Sequence, residues 1–309
     1  MQYDVSVIII SYNTKALTLD CLRSIYEQTS GLSFEVIVAD NASTDGSAQA
    51  IAAQFPQARL LALKGNYGFA RANNVAAKVA TAPHLLLLNP DTVILDGAIQ
   101  KVVAFARSCT DPCIVGGRTY HADGTLNYSS CHGRPTVWSL LCMGSGLSSL
   151  CRRNRLFDPE SLGPWERDTV KEVDAVTGCF LLIPRRLWEE LNGFDEVFFM
   201  YGEDTDLCIR ARKLGVRCIS FPEARLIHHG GASERVRPDK MVRLFQAKVQ
   251  LFRKHWNPRT VWFGVWMLRL WAFTRVLALG MLSLVTARYE SSYRTWREIW
   301  RRSSEFAHV

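Results

Sequence analysis

No two cysteines in this chain are spaced Cys-x-x-Cys, although it carries nine of them. The nearest approach, Cys109-x-x-x-Cys113, is a poor metal signal. An odd, irregular set of thiols argues for reduced cysteines in a cytosolic protein and against a disulfide framework. The opening MQYDVSVIII places an acid before its apolar run and has no basic segment, so it predicts a first strand in place of a signal peptide. The turn after that strand, SYNTKA, has no GxGxxG, and GxxxxGK[ST] occurs nowhere. Both absences disfavour NAD enzymes and P-loop NTPases. No Gly/Ser/Pro-rich linker, low-complexity run or internal repeat divides the chain. The apolar stretch Val261 to Ala287 is broken by Arg269 and Arg275. Its longest uncharged piece, Val276 to Ala287, falls short of the ~20 residues a spanning helix needs.

What is present is enough apolar material for a sizeable core: 48% of the 309 residues are hydrophobic. Val5 to Ile10, Phe34 to Ala39, Arg59 to Leu63 and His84 to Leu88 read as strands, and the first and last are apolar but for Ser6 and His84. Helical spacing runs over 14–28, 47–54, 68–80 and 96–107 between and after them. This β-α-β-α alternation predicts an α/β fold with a mostly parallel sheet covered by helices. Further strands are predicted at 113–116, 174–183 and 216–221, and a helix at 240–255. Residues 120–170 read as an insertion partly over the sheet, and the domain boundary is predicted near 258.

Ligands of open α/β sheets bind beyond the carboxyl ends of the strands. Here those ends read Ser11-Tyr12-Asn13, Asp40-Asn41-Ala42-Ser43 and Asn89-Pro90-Asp91-Thr92. Turn chemistry alone accounts for any one of these clusters; three on one rim suggest a site. Asp40 can hold a ribose or accept the imide N–H of a pyrimidine. Asp91 is a hard oxygen ligand, suited to Mg²⁺ or Mn²⁺ on a diphosphate. A third gathering of acids lies in FFMYGEDTDLCIRARKLG, Phe198 to Gly215. The apolar stripe of this helix is Leu207, Ala211 and Leu214, which turns Glu203 and Asp204 inward and leaves Asp206 as an exposed pair with Arg210.

The net charge is +8. From Thr260 onward there are seven arginines and three glutamates, and the arginines alternate with Trp and Leu. That favours an anionic lipid surface over nucleic acid. Tyr293, Trp296 and Trp300 form an aromatic stripe flanked by Arg294, Arg297 and Arg301, the pattern of a helix lying in an interface.

Seven ordered blocks, SVIIISYNT, DNASTDGS, GNYGFARANN, LLLLNPDT, VTGCFLLIPRR, GFDEVFFMYGEDTDLCIRARKLG and HHGGAS, resemble family 2 inverting glycosyltransferases of the GT-A fold. The rhamnosyltransferase-like branch, which builds bacterial cell-wall and surface polysaccharides, is the nearest in likeness. The resemblance spans about Val5 to Ser233 and implies the following roles. Asp40 bonds the pyrimidine. Ser11, Asn13, Asn66, Arg71, Asn74 and Asn89 surround the nucleotide sugar. Asp91, in an Asn-Pro-Asp that departs from the usual Asp-x-Asp, and His228, in H-x-G-G-x-S, hold Mn²⁺ or Mg²⁺, with His229 as runner-up. Gly178 lies on the acceptor side. Asp204 is the base, with Glu203 as its partner, and Phe198, Phe199 and Tyr201 wall the sugar. An in-line inverting displacement needs no protein nucleophile; it needs a carboxylate base and a cation on the departing diphosphate. The resemblance further implies a donor such as dTDP-rhamnose, or a UDP-sugar, and a glycan or lipid-linked acceptor. Residues 259–309 lie outside the resemblance; their own pattern predicts membrane-associating helices and a cytoplasmic site on the inner face of a bacterial plasma membrane, with which a homo-oligomer is compatible. A sugar nucleotidyltransferase is disfavoured because SYNTKA lacks a Gly-rich, Arg-bearing loop. A non-catalytic membrane adaptor is disfavoured because Asp40, Asp91, Asp204 and His228 are all intact.

Overall fold

The computed structural model describes residues 3–230 and 237–307. It divides into two compact units: Met1–His132, Glu166–Phe199 and Glu203–Ser233 form the first, and Gly133–Trp165, Met200–Gly202 and Glu234–Val309 the second. The division in space therefore differs from the linear boundary predicted near 258. Residues 133–165, read as an insertion over the sheet, belong with the C-terminal helices.

The strands are β1 (Val5–Ser11), β2 (Phe34–Asp40), β3 (Arg59–Ala62), β4 (His84–Leu88), β5 (Thr92–Ile94), β6 (Cys113–Tyr120), β7 (Leu126–Asn127), β8 (Cys131–His132), β9 (Lys171–Val173), β10 (Ala175–Val176), β11 (Phe180–Pro184) and β12 (Arg217–His228). The helices of the first unit are α1 (Lys15–Gln28), α2 (Ser47–Gln54), α3 (Gly68–Ala77), α4 (Ala98–Ser108), α7 (Arg185–Glu190) and α8 (Glu203–Lys213). Those of the second are α5 (Val137–Ser145), α6 (Leu147–Leu150), α9 (Arg237–His255), α10 (Pro258–Val285), α11 (Glu290–Arg301) and α12 (Ser303–Ala307).

The main sheet of the first unit runs β3-β2-β1-β4-β11-β6-β12-β5. β3, β2, β1 and β4 are parallel, as their apolar runs predict, and every residue of β1 is buried. α1 covers this half with Leu19, Cys21, Leu22 and Ile25. The other half is mixed: β11 lies antiparallel between β4 and β6. The single strand predicted over 174–183 is broken in two around Gly178. β10 pairs with β8 in a small separate sheet, and β11 joins the main one. β12 also runs further than the predicted 216–221. Its pairing with β6 slips between Ser220 and Arg225, where Pro222 has no N–H to donate, and then resumes as far as Ile227. A proline that reads as a strand end is instead absorbed by a bulge. All nine cysteines are free thiols, and no group of three metal-binding side chains occurs among the described residues.

α8 is not amphipathic in the predicted way. It packs on β10 and β12 through Leu207, Cys208 and Ala211, whereas Leu214, just past the helix end, is exposed. Asp206, predicted to be surface, is fully buried. Its Oδ2 accepts from Arg210 Nε at 2.7 Å, and Arg210 also donates to the carbonyls of Leu191 (2.6 Å) and Gly193 (2.8 Å). The face read as solvated lies against the Leu191–Gly193 turn, and the guanidinium satisfies its carbonyls while neutralising the acid.

In the second unit, α10 packs on α5, α9 and α11. Leu140, Phe245, Val249, Phe252, Met267, Leu268, Ile299 and Phe306 form the core. Gly144 and Gly264 let helices meet closely: a Cβ on Gly144 would lie 3.0 Å from the Met267 carbonyl, and one on Gly264 2.9 Å from Phe252. The aromatic stripe of α11 packs inward, contrary to the interfacial orientation predicted for it. Trp296 meets Trp271 edge-on at 5.3 Å, Trp300 meets Phe273 at 5.2 Å, and Ile299 is fully buried.

Breaking a buried pair strands a charge. Asp206→Asn leaves Arg210 without its carboxylate and is expected to cost about 3–5 kcal/mol of unfolding free energy in urea titration. An effect below about 1 kcal/mol would mean that the two carbonyls alone satisfy the guanidinium.

Candidate active site

The sheet order sets the rim. β2, β1 and β4 are neighbours in register, with Ser11 opposite Asp40 at their carboxyl ends. Adjacent strands lie about 4.8 Å apart, so Asp40 and the Asn89 turn are separated by roughly 10 Å of sheet edge.

Asp40 is buried. Its Oδ2 accepts from the Ser43 N–H at 3.0 Å, whereas Oδ1, equally buried, has no partner. A buried carboxylate oxygen without a donor is costly unless a ligand supplies one. Asn13 takes φ 52°, and its Oδ1 accepts from Thr44 N–H at 2.8 Å, tying the first rim turn to the second. Ser11 is fully buried, and its hydroxyl bonds to Thr18 at 3.1 Å. Its side chain thus holds α1 to β1, beneath the rim surface. Asn66 and Arg71 are exposed. Arg71 lies 4.7 Å over the Tyr67 ring, and Asn66 Oδ1 accepts from Asn41 Nδ2 at 3.0 Å. Asn74 is spent on structure: it donates to Phe194 O (2.8 Å) and accepts from Phe194 N (2.9 Å), clamping the turn that precedes α8.

Asn41, not singled out from the sequence, organises this side. Its Nδ2 reaches Asn66 and the Gly68 carbonyl, and its Oδ1 accepts from the Tyr67 N–H at 2.9 Å. The Asn in DNAS was a readable signal, since this side chain mimics a backbone turn. Gly68 starts α3 at φ +77°, and a Cβ there would lie 2.3 Å from the Phe199 carbonyl, so only glycine fits.

The second cluster depends on β5 and β12. Their antiparallel pairing sets His228 opposite Thr92, beside Asp91. His228 Nε2 lies 3.3 Å from Asp91 Oδ1 and 3.2 Å from Asn89 Nδ2. Burial resists ionisation of Asp91, but the hydrogen bond and charge of His228 prevail and hold it below the usual carboxylate range. Burial likewise opposes a charged His228, and its interactions with Asp91 and Cys179 overcome that, raising the imidazole to about 10. The pair thus surrounds an anion with compensating positive charge. The same two side chains suit a divalent ion that would displace the proton from His228 Nε2. Two ligands about 2.1 Å from one octahedral ion lie about 3.0 Å apart, near the separation seen. With two protein ligands, the remaining positions fall to water and phosphate oxygens, as Mg²⁺ prefers. His229 is exposed, and its N–H donates to the Asp91 carbonyl at 3.0 Å. Ser233 of the H-x-G-G-x-S pattern lies outside the described residues.

The third cluster is joined to the second by one dipeptide. The Gly178 N–H donates to Asp204 Oδ2 at 3.0 Å, and the Cys179 carbonyl accepts from the Asn89 N–H at 3.1 Å. Asp204 Oδ1 accepts from the Thr205 N–H at 2.7 Å. A Cβ on Gly178 would press 3.1 Å from the Phe69 ring, so what approaches this glycine is Phe69 and Asp204. The neighbouring acid differs. Glu203 is buried with Oε2 unpartnered; burial, then the charge of Asp204, pushes it well above the carboxylate range. Asp204 thus accepts two backbone N–H bonds, whereas burial favours the neutral form of Glu203. Phe198 is buried and Phe199 exposed, while Tyr201 belongs to the second unit.

Comparison with known proteins bears on the family and the fold. The family model for glycosyl transferase family 2 matches residues 6–162, and that for the N-terminal domain of galactosyltransferase matches 168–243. The N-acetylglucosaminyl-diphospho-decaprenol L-rhamnosyltransferase of Mycobacterium tuberculosis is 32% identical over 210 residues, 63% of this chain and 66% of that protein, just under two thirds of its length. Rhamnosyltransferase WbbL of Escherichia coli is 28% identical over 177 residues, 53% of this chain and 62% of that one. Among solved structures, a mannosyltransferase from Pyrobaculum calidifontis in complex with GDP-Man and Mn²⁺ superposes with a TM-score of 0.61 at 19% identity, covering 100% of this chain and 88% of its own. That likeness is one of fold. A mostly parallel sheet with its polar rim, and a family model matched over half the sequence, give one conclusion: the chain belongs to glycosyl transferase family 2.

Proposed function

We propose that the chain transfers a sugar from a nucleotide donor, with inversion, to a hydroxyl of a lipid-linked glycan in bacterial cell-wall or surface-polysaccharide synthesis. Rhamnose carried on dTDP is the donor favoured, because two relatives are named as rhamnosyltransferases. The observation that carries the chemistry is the Gly178–Cys179 step, which fixes Asp204 on one side and the Asn89–Asp91 turn on the other. A base and a leaving-group turn tethered to adjacent residues suit a single in-line displacement.

The donor base gives its imide N–H to the free Oδ1 of Asp40, and the sugar diphosphate runs along the rim toward Asp91. Asp91 and His228 would hold a divalent cation, which would supply positive charge for the departing diphosphate. Asp204 takes the proton of the acceptor hydroxyl as that oxygen bonds to the anomeric carbon and the bond to the diphosphate breaks. The products are the glycoside and the nucleoside diphosphate. Glu203 stays protonated, so the pair bears one negative charge and Asp204 remains free to accept. Phe69 and Phe199 supply apolar walls that limit water. Release of nucleoside diphosphate from dTDP-rhamnose with an N-acetylglucosaminyl-diphospho-prenol acceptor tests the proposal. A donor panel showing turnover only with another nucleotide sugar would replace the rhamnose assignment.

Asp204→Asn removes the base and is expected to lower kcat by roughly 10²–10⁴ with donor affinity unchanged. Glu203→Gln keeps the neutral state and is expected to hold kcat within about threefold; a larger loss there than in Asp204→Asn would reverse the two roles.

Asp40→Ala deletes a charged acceptor, worth about 1.5–3 kcal/mol. Calorimetry should show nucleoside-diphosphate binding weaker by about tenfold to a hundredfold with an unchanged melting temperature. Wild-type affinity would take Asp40 out of the donor site.

Asp91→Ala and His228→Ala are each expected to raise the Mn²⁺ or Mg²⁺ concentration for half-maximal turnover by about tenfold or more. Full activity in EDTA would remove the cation from the mechanism.

A further inference from the structure

Helix α10 is apolar on every side. Its 28 residues contain no Asp or Glu, and it is long and apolar enough to cross a membrane. A helix of that kind is buried on all faces or meets lipid. In the second unit only one face is covered: Gly264, Met267, Leu268 and Ala272 are buried against α5, α9 and α11. The opposite face carries Trp262, Trp266, Phe273, Leu277, Met281 and Leu284, all exposed, from 38% at Phe273, whose ring also touches Trp300, to 87% at Leu284. Their spacing keeps them in one row, about 33 Å long at 1.5 Å per residue. An exposed apolar row of this length, interrupted by Arg269, is not a normal soluble surface.

The charges around the row select its occupant. Arg259 stands at its start, Arg269 within it and Arg288 just past its end, all exposed, with no acid on the helix. Long basic side chains keep their heads at the phosphate level while their stems lie along acyl chains. Arg275, which would be a liability in lipid, is turned to the packed side. It lies 4.2 Å over Trp271 and 5.1 Å over Trp296, and donates to Ser149 Oγ at 2.8 Å.

The packing also selects the orientation. α11 runs back along α10, Tyr293 beside Gly280 and Trp300 beside Phe273. A perpendicular crossing would carry the exposed Arg294, Arg297, Glu298 and Arg301 into the bilayer with it, where charged side chains are costly. The alternative is to strip α10 from its core. Lying flat requires neither. We propose that α10 lies in the plane of an anionic bilayer surface, immersed along the Trp262-to-Leu284 row, while its other face stays packed on α5, α9 and α11. The use of this surface, to present the rim to a lipid-linked acceptor, rests on the function proposed above; the binding does not.

Flotation of the full chain with phosphatidylcholine–phosphatidylglycerol vesicles tests the face. Leu277→Glu with Leu284→Glu is expected to reduce bound protein by about tenfold or more. Leu214→Glu, on an equally exposed leucine of the first unit, is expected to change nothing. For depth, Trp262→Cys, Phe273→Cys and Leu284→Cys are labelled with NBD in a background where the two partly exposed thiols, Cys109 and Cys151, are serine. Equal quenching of all three by shallow brominated lipids supports the in-plane helix. Quenching of position 273 by deep bromines alone overturns it in favour of a span. Undiminished flotation of the double variant overturns the face. So does an oligomer of the wild type without lipid that the double variant dissolves, which would make the row a contact between copies. Transfer to a short-chain, water-soluble acceptor is measured alongside: its failure would count against the proposed function and leave the flotation result standing.

Discussion

One hydrogen bond, from the Gly178 amide to the Asp204 carboxylate, governs the arrangement of the candidate site. It forms because the strand predicted over 174–183 is interrupted there, freeing a peptide N–H that a continuous ladder would have used. The interruption needs glycine, since a Cβ would press on the Phe69 ring. The next carbonyl takes the Asn89 amide, so the same break in pairing positions both the acid of α8 and the turn bearing Asp91. The rest of the first unit rigidifies that joint: parallel β1 and β4 hold Asn89 from one side, and the buried Asp206–Arg210 pair fixes α8 from the other.

The two acids that open α8 show how environment divides chemically similar groups. Glu203 and Asp204 are adjacent in sequence. Glu203 faces the interior with an unpartnered oxygen, and burial holds it neutral. Asp204 accepts backbone N–H bonds on both oxygens. Two carboxylates side by side would repel; one acid and one carboxylate do not. A comparable division occurs at Asp91 and His228, where anion and imidazole stabilise one another across 3.3 Å.

Much of this was legible in the sequence, and the exceptions have physical causes. The β-α-β-α half announced itself because parallel strands buried on both faces must be continuously apolar. The rim acids Asp40 and Asp91 drew notice because turn chemistry accounts for one polar cluster at a strand end but less readily for three on one rim. Asp206 was misplaced because helical periodicity reports one face only, and α8 is packed on two. The extension of β12 to His228 was hidden by Pro222, whose missing donor a bulge can tolerate. The inward turn of Trp296 and Trp300 could not be read, because an aromatic stripe beside arginines looks the same whether it meets lipid or another helix. The exposed row of α10 was invisible for the converse reason: an all-round apolar helix shows no preferred face until its neighbours are known.

The central claim is that Asp204 serves as a base in a single displacement and never as a nucleophile. The anomeric configuration of the product, read by NMR from the one-bond carbon–proton coupling of the transferred sugar, tests this most directly. The account predicts a configuration opposite to that of the donor, formed without any glycosyl-enzyme adduct. Retention of the donor configuration would require two displacements and would contradict it.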